Sequence, residues 1–301
     1  MKNTFTFCRR ILIVILLICF VFFVDAENAA SEDSKDFLWR VQSKTGTVYL
    51  LGSLHVFKRE FYPLHPRIED AFDQSSQLAV EANVNEISTK DLQKLMEIGL
   101  YPGSETIEEH LSSETYNLMK GQIEKFGLPV LAFGKQKPWL VALTLLSLEI
   151  QKLGFDPNQG IDKHFLSKAT GKKKIVELES FDYQMTLFSG LSEKEQELFL
   201  IYTLKDLELL EQELDQLIQA WKSGDTNRME AIMTKGLKED SRLSSIYEIL
   251  IYDRNKKMAS KVEEFLGAKE TSFVIVGAGH LVGAKGVAEL LKAKGYLVEQ
   301  W

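Results

Sequence analysis

Cysteine is the residue type that this sequence of 301 residues uses least. Its two cysteines, Cys8 and Cys19, both lie within the first 26 residues. The remaining 275 positions therefore offer no disulfide, no thiol nucleophile and no thiolate metal ligand. Stability must come from an apolar core, and a composition of 45% hydrophobic and 26% charged residues allows one.

Negative charge exceeds positive charge, with 43 Asp and Glu against 36 Lys and Arg. The chain carries a formal net charge of −7, and Lys2, Arg9, Arg10 and Asp25 give the first 26 residues +2, so the remainder carries about −9. The nearest basic cluster, residues 172–174, is only three lysines long. Phosphate binding needs clustered positive charge, so nucleic acid is excluded as an expected partner.

The N-terminal segment has the three parts of a secretory signal peptide. Basic residues precede an unbroken apolar run over residues 11–24, and Val24 and Ala26 are small residues where signal peptidase cleaves. The alternative is an uncleaved membrane anchor, for which this run is short. We expect a signal peptide over 1–26, a single domain over 27–301, and a secreted or periplasmic location with membrane contact only through 11–24.

Apolar periodicity and turn residues predict an alternation of strands and helices. The predicted strands are residues 37–41, 47–51, 78–81, 130–133, 174–178 and 273–276. The predicted helices are residues 68–74, 89–98, 113–126, 140–152, 193–220, 226–237, 242–266 and 285–294. This order indicates an α/β fold with a mixed sheet flanked by helices, built from two related halves, with the site where their strand ends meet.

Two short segments carry the same pattern of an apolar strand followed by Gly-x-x-His. One is VYLLGSLH, which ends at His55, and the other is FVIVGAGH, which ends at His280. A glycine lets the chain turn sharply as it leaves a sheet. Open sheets place their ligands at such strand ends, and the strand LAVE brings Glu81 to a similar end.

Two histidines and a carboxylate suit a divalent transition metal such as zinc, manganese or cobalt, and three protein ligands leave a position for water. Such a metal lowers the pKa of water and polarises a carbonyl group. Alone, however, Gly-x-x-His is a common pattern, and a lone histidine at a strand end is more often a core or surface residue.

Longer motifs occur in a definite order along the chain. They are FLWR at 37–40, the first Gly-x-x-His segment, IEDAF at 68–72, LAVE at 78–81, KPW at 137–139, GID at 160–162, KKKIVELES at 172–180, Gln184, Arg254 with Asn255, Met258 and the closing segment 277–283. In this order they resemble the TraB/GumN/Tiki family, although Ser180 replaces the usual threonine. The erythromycin-esterase and ChaN groups resemble it in structure.

The resemblance implies roles for particular residues. In the Tiki branch the paired histidines and an acidic residue are required for metal-dependent proteolysis, and these match His55, His280 and Glu81. If Glu81 is not a metal ligand, it becomes the natural general base. The family arginine matches Arg254, which would hold a substrate carboxylate or an oxyanion. Glu179 is a second candidate carboxylate, which would act as a metal ligand, as the partner of a ligand or as a general base. The alternative is that Glu179 only caps a helix or lies at the surface.

Other polar residues have simpler explanations. Asp162 fits the N-cap of a helix that begins near Lys163. His164 is expected at the surface, His65 in a loop and His110 on a charged helical turn. Ser53 lacks the Gly-x-Ser-x-Gly context of a nucleophile and fills a small-residue position instead.

Three functions follow from these features. The favoured one is a metal-dependent hydrolase, metallopeptidase-like, acting on a peptide or another amide or ester. The alternative is a non-catalytic protein of the same fold that binds metal, haem or peptide, although no haem-attachment motif or other cofactor-binding motif occurs. A third is an interaction module that uses the leucine-rich helices of residues 193–266.

Overall fold

The computed structural model describes residues 35–301. The predicted signal peptide, its alternative as an anchor and both cysteines lie outside these residues. Within residues 35–301, no helix combines the length and the apolar character needed to cross a membrane.

A single six-stranded sheet organises the fold. Its strands are β1 Leu38–Gln42, β2 Thr47–Ser53, β3 Gln77–Val80, β4 Lys174–Glu177, β5 Thr271–Gly277 and β6 Leu297–Gln300. The order across the sheet is β4-β3-β5-β2-β1-β6. The four strands from β4 to β2 run parallel, whereas β1 and β6 are antiparallel to their neighbours. The mixed sheet of an α/β fold is confirmed.

Helices surround this sheet. They are α1 Pro66–Asp73, α2 Thr89–Gly99, α3 Ser113–Lys125, α4 Pro138–Lys152, α5 Ile161–Ala169, α6 Phe181–Ser189, α7 Glu193–Asp206, α8 Leu210–Lys222, α9 Thr226–Met233, α10 Lys235–Glu239, α11 Ser244–Tyr247, α12 Asp253–Gly267 and α13 Val287–Ala293. A π-helical turn, Glu248–Tyr252, joins α11 to α12. The helices from α6 to α12 lie in sequence between β4 and β5.

The two Gly-x-x-His strands are the centre of the sheet. From the second residue onward, every residue of β2 and of β5 is buried. Continuous apolar runs are typical of parallel strands that are covered on both faces. The strands pair with Gly52 opposite Val276 and Ser53 opposite Gly277, so their carboxyl ends coincide.

Several predicted elements need correction. Residues 130–133 form a 3-10 helix instead of a strand, and only Phe133 among them is buried. The predicted helix 193–220 breaks between α7 and α8. Sequence periodicity misses the break because leucines on both sides of it, such as Leu204 and Leu210, are buried in one core.

Smaller differences concern the remaining segments. The predicted helix 226–237 is divided into α9 and α10, and 242–266 contains the π-helical turn. Helix α6 and the edge strand β6 were not predicted. Strand β6 alternates exposed and half-buried residues beside β1, and such a short edge strand has a weak sequence signal.

One hydrogen bond joins the helical region to the end of β2. The indole Nε1 of Trp221, near the end of α8, donates to the carbonyl oxygen of Gly52 at 2.6 Å. A side chain at Gly52 would collide with Phe37, since a Cβ there would lie 2.5 Å from its Cδ1 atom. The absence of a side chain therefore lets β2 pack closely where it leads into His55.

We expect Trp221→Phe to lower the free energy of unfolding by about 1–3 kcal/mol, because the buried Gly52 carbonyl loses its donor. Urea denaturation measures the effect. Trp301→Phe is the control, since that indole is half-buried and packs on the Tyr49 ring. Equal losses in the two variants would contradict the assigned importance of the hydrogen bond.

Candidate functional site

His55 and His280 lie together at the carboxyl ends of β2 and β5. Gly277, which opens the second Gly-x-x-His motif, has no side chain and so leaves space between the two imidazoles. A Cβ atom at Gly277 would lie 3.0 Å from His55 Nε2, 3.5 Å from His280 Cδ2 and 3.4 Å from Glu81 Oε1. The structure thus brings the three predicted metal ligands around one gap.

The orientation of His55 is set by Asp162. His55 Nδ1 lies 2.6 Å from Asp162 Oδ2, and Ser53 Oγ donates to Asp162 Oδ1 at 3.0 Å. Burial opposes the charged imidazole, but the negative charge of the adjacent Asp162 carboxylate outweighs it and raises the pKa of His55. With Nδ1 directed to the carboxylate, Nε2 faces the gap.

The N-cap role predicted for Asp162 is wrong. Gly160 is the N-cap of α5, and Asp162 lies in the first turn with its side chain buried against His55. The helix approaches closely, because a Cβ at Gly160 would lie 2.1 Å from the His55 carbonyl oxygen. Only a residue without a side chain can bring the start of this helix against β2.

The orientation of His280 is set by Asn255 of α12. His280 Nδ1 lies 2.6 Å from Asn255 Oδ1, and the Asn255 amide nitrogen donates to the Lys285 carbonyl oxygen at 2.8 Å. That second contact makes Oδ1 the acceptor, so Nδ1 carries the proton. Burial and the nearby Arg254 lower the pKa of His280 to about 3. His280 is therefore neutral at physiological pH, with the Nε2 lone pair available.

Glu81 supplies negative charge to the same gap. Its Oε1 atom accepts from the backbone nitrogen of Gly277 at 2.6 Å and lies 3.8 Å from His280 Nε2. Its Oε2 atom accepts from Arg254 Nη2 at 2.6 Å. Burial opposes ionisation, but the charge of Arg254 and the hydrogen bond from Gly277 N hold the pKa of Glu81 well below its usual range.

Glu179 lies beside Glu81 and is held by the same arginine. The β3–β4 pairing continues past the strands, since Glu179 N donates to the Glu81 carbonyl oxygen at 2.8 Å. Arg254 Nε lies 3.1 Å from each Glu179 oxygen, and Nη2 donates to Oε2 at 2.8 Å. Gln184 Nε2 donates to Glu81 at 3.2 Å and to Glu179 at 3.0 Å. The helix-capping and surface alternatives for Glu179 are therefore wrong.

The donor atoms of His55, His280 and Glu81 suit a divalent metal, although their present positions do not form a complete coordination site. Within residues 35–301, no group of three or more His, Cys, Asp or Glu side chains is placed so that it could hold a metal ion. The chemistry nevertheless fits. Both imidazoles direct Nδ1 to a protein acceptor, which is how metal-binding histidines are oriented. A carboxylate oxygen has two lone pairs, so Glu81 Oε1 can accept from Gly277 and still serve as a ligand.

The other three histidines lie elsewhere. His65 caps α1 by accepting from Arg67 N at 3.4 Å. His110 stacks on the Tyr101 ring with centroids 4.1 Å apart. His164 is half-buried, not fully at the surface as predicted, and contacts Glu69 at 2.9 Å.

A largely apolar cavity of about 140 Å³ adjoins the site. His55, His280 and Arg254 line it, together with leucine, isoleucine and methionine side chains from the helices between β4 and β5. Two buried carboxylates, Asp206 and Glu213, also line it. The sequence analysis missed both, although in the continuous helix predicted for residues 193–220 their spacing of seven residues would put two acids on an otherwise apolar face.

Comparison with known proteins identifies the family of the chain. The sequence profile of the TraB/PrgY/gumN family matches residues 37–300. The chain belongs to this family. Residues 37–300 include both Gly-x-x-His strands, all six strands of the sheet and the helices that line the cavity.

Relatives extend over most of the chain at low identity. The uncharacterized protein YbaP of Escherichia coli (strain K12) is 26% identical over 245 residues, covering 81% of this chain and 87% of its own. A metalloprotease TIKI homolog of Amphimedon queenslandica is 23% identical, covering 91% of this chain and 62% of its own. Metalloprotease TIKI2 of Danio rerio is 22% identical over 90% of this chain and 62% of its own. No solved structure matches the chain.

We expect Arg254→Met to lower the free energy of unfolding by about 3–5 kcal/mol, because it leaves two buried carboxylates without their cation. Chemical denaturation at pH 7 measures the loss. The control is Arg40→Met, which removes an exposed pair with Glu299 at 2.7 Å and should cost about 1 kcal/mol or less. Similar losses in both variants would contradict the assigned role of Arg254.

Proposed function

We propose that this protein is a metal-dependent hydrolase that cleaves an amide or ester bond, with peptides as the favoured substrates. The main support is the convergence of His55 Nε2, the neutral His280 and Glu81 Oε1 on the space beside Gly277. The similarity to metalloproteases of the TIKI group adds support for a metallopeptidase, at distant identity.

His55, His280 and Glu81 would hold a divalent transition metal such as manganese, cobalt or zinc. When bound, such a metal supplies an activated water and polarises the carbonyl group to be attacked. Asp162 and Asn255 orient the two imidazoles through Nδ1. Arg254 keeps Glu81 ionised and in place, and its predicted contact with an oxyanion would require it to shift from its present partners.

Glu179 serves this proposal as a partner of Arg254. Both of its oxygens accept from the guanidinium. The pattern of residues 1–26 supports export by a signal peptide, so we propose that the reaction takes place outside the cytoplasm.

Metal content is the first test. The protein purified without chelators should contain about one transition metal per chain and should hydrolyse members of a peptide library. His55→Ala and His280→Ala should each lose the metal and the turnover, because each removes a donor from the shared gap. Elemental analysis and product detection by mass spectrometry measure both quantities.

The matched control is His65→Ala, because that side chain is 53% exposed and contacts Asp36 and Arg67 N instead of the proposed ligands. Full turnover in either site variant would refute the proposal. Absence of metal in the parent, even after incubation with manganese, cobalt and zinc, would favour a binding protein without catalysis.

Asp162→Asn tests the orientation of His55 separately. We expect about a 10- to 100-fold loss of metal affinity, as for other residues that orient metal ligands. Competition with a chelating dye measures the affinity. Asp182→Asn is the control, since that carboxylate is exposed and pairs with Lys94. Unchanged metal affinity in Asp162→Asn would show that Asp162 does not orient His55 for metal binding.

A further inference from the structure

Two acidic side chains form a second polar feature of the cavity beside the proposed metal ligands. Asp206 is the last residue of α7, and Glu213 lies in the first turns of α8, after the short break between these helices. Asp206 is 8% exposed and Glu213 is 1% exposed. Both line the cavity that His55 and His280 also line.

These carboxyl groups are not fully satisfied by the protein. Asp206 Oδ2 and Glu213 Oε1 are buried and have no hydrogen-bond partner within the described part of the chain. A buried polar atom without a partner costs free energy, and natural proteins rarely retain one without a use. The two unpartnered oxygens therefore indicate a ligand that would donate hydrogen bonds to them.

The charges around the pair do not remove this cost. Burial, opposed by Lys235 and Lys205 and assisted by Glu239, raises the pKa of Asp206 to about 7. Burial, assisted by Asp206 and Glu239 and opposed by Lys235, raises the pKa of Glu213 to about 8. Lys235 itself lies 3.3 Å from Glu239. The acidic pair therefore retains protons near neutral pH, and a cation that replaced them would gain two carboxylate partners.

The rest of the cavity wall indicates what kind of molecule carries that cation. The wall is largely aliphatic, including Leu214, Ile218 and Met233. A cavity needs about 10–15 Å³ to hold one water molecule, and the volume here is about 140 Å³. An alkyl chain with one cationic end matches both the apolar wall and the acidic pair.

We propose that Asp206 and Glu213, with the aliphatic wall, form a subsite for an aliphatic ammonium group, such as a lysine side chain of the substrate. The role of this subsite in substrate selection rests on the proposed hydrolase function. A lysine side chain bound there would place the bond to be cleaved at the end of the cavity lined by His55 and His280. The binding of an ammonium group to the acidic pair is independent of catalysis.

Calorimetric titration of the full chain with n-pentylamine tests the binding directly. At pH 7 the amine is protonated, and 1-pentanol has a similar alkyl chain without the charge. We expect the amine to bind more tightly than the alcohol and to release protons, detected as a dependence of the binding heat on the buffer. Asp206→Asn and Glu213→Gln should each weaken amine binding about 10- to 100-fold, because each removes a charged acceptor, and should leave alcohol binding unchanged.

Glu211→Gln is the matched control, since Glu211 lies on the same helix and is exposed. Circular dichroism verifies that each variant is folded, and the unchanged alcohol binding verifies that the cavity is intact. Equal affinities of amine and alcohol in the parent would overturn the proposal. So would amine binding that survives in both variants, which would indicate a non-specific cation effect.

A peptide library with lysine, norleucine or acetyl-lysine at each position extends the test to catalysis, and acetylated N-termini separate a lysine side chain from an N-terminal amine. We expect cleavage to favour lysine at one position and Glu213→Gln to abolish that preference. Amine binding without any peptide cleavage would refute the hydrolase function and leave the subsite standing. Cleavage without amine binding or lysine preference would refute the subsite alone.

Discussion

The buried guanidinium of Arg254 is the interaction on which the site depends. It contacts carboxylates that follow two different strands, β3 and β4, and its own helix α12 also carries Asn255, the partner of His280. Two adjacent buried carboxylates would otherwise repel each other and take up a proton. The arginine keeps Glu81 ionised and turns its Oε1 atom toward the two imidazoles. The cost of burying three charges is offset only because all of them are paired and hydrogen-bonded.

The location of Arg254 explains an irregularity of the helical region. The π-helical turn Glu248–Tyr252 immediately precedes α12, and Arg254 Nη1 donates to the Leu250 carbonyl oxygen within that turn at 3.0 Å. Single π-helical turns are frequent at functional sites, where they redirect a side chain. Here the turn places the guanidinium between the carboxylates while the apolar side chains around it remain in the core.

The sheet register positions the site residues, and the helices inserted between β4 and β5 form the cavity beside them. Parallel pairing of β2 with β5 sets the two histidines at one edge, and the pairing of β3 with β4 sets the two glutamates beside them. The helices between β4 and β5 then cover this edge and form the cavity, with Trp221 joining α8 to the end of β2. The strands thus position the histidines and glutamates, and the helices line the cavity beside them.

The sequence by itself determined the α/β class, five of the six strands, most helices and the expectation that His55, His280 and Glu81 meet. It could do so because buried parallel strands are continuous apolar runs, and because the order of the longer motifs resembles that of the TraB/GumN/Tiki family. Only the tertiary structure decided the partners: Asp162 for His55, Asn255 for His280, and Arg254 for both glutamates. These contacts join residues between 25 and 173 positions apart, and no local pattern encodes such distances. The break between α7 and α8 was likewise decided by packing, because leucines continue through it, and that break is what places Asp206 and Glu213 in one cavity.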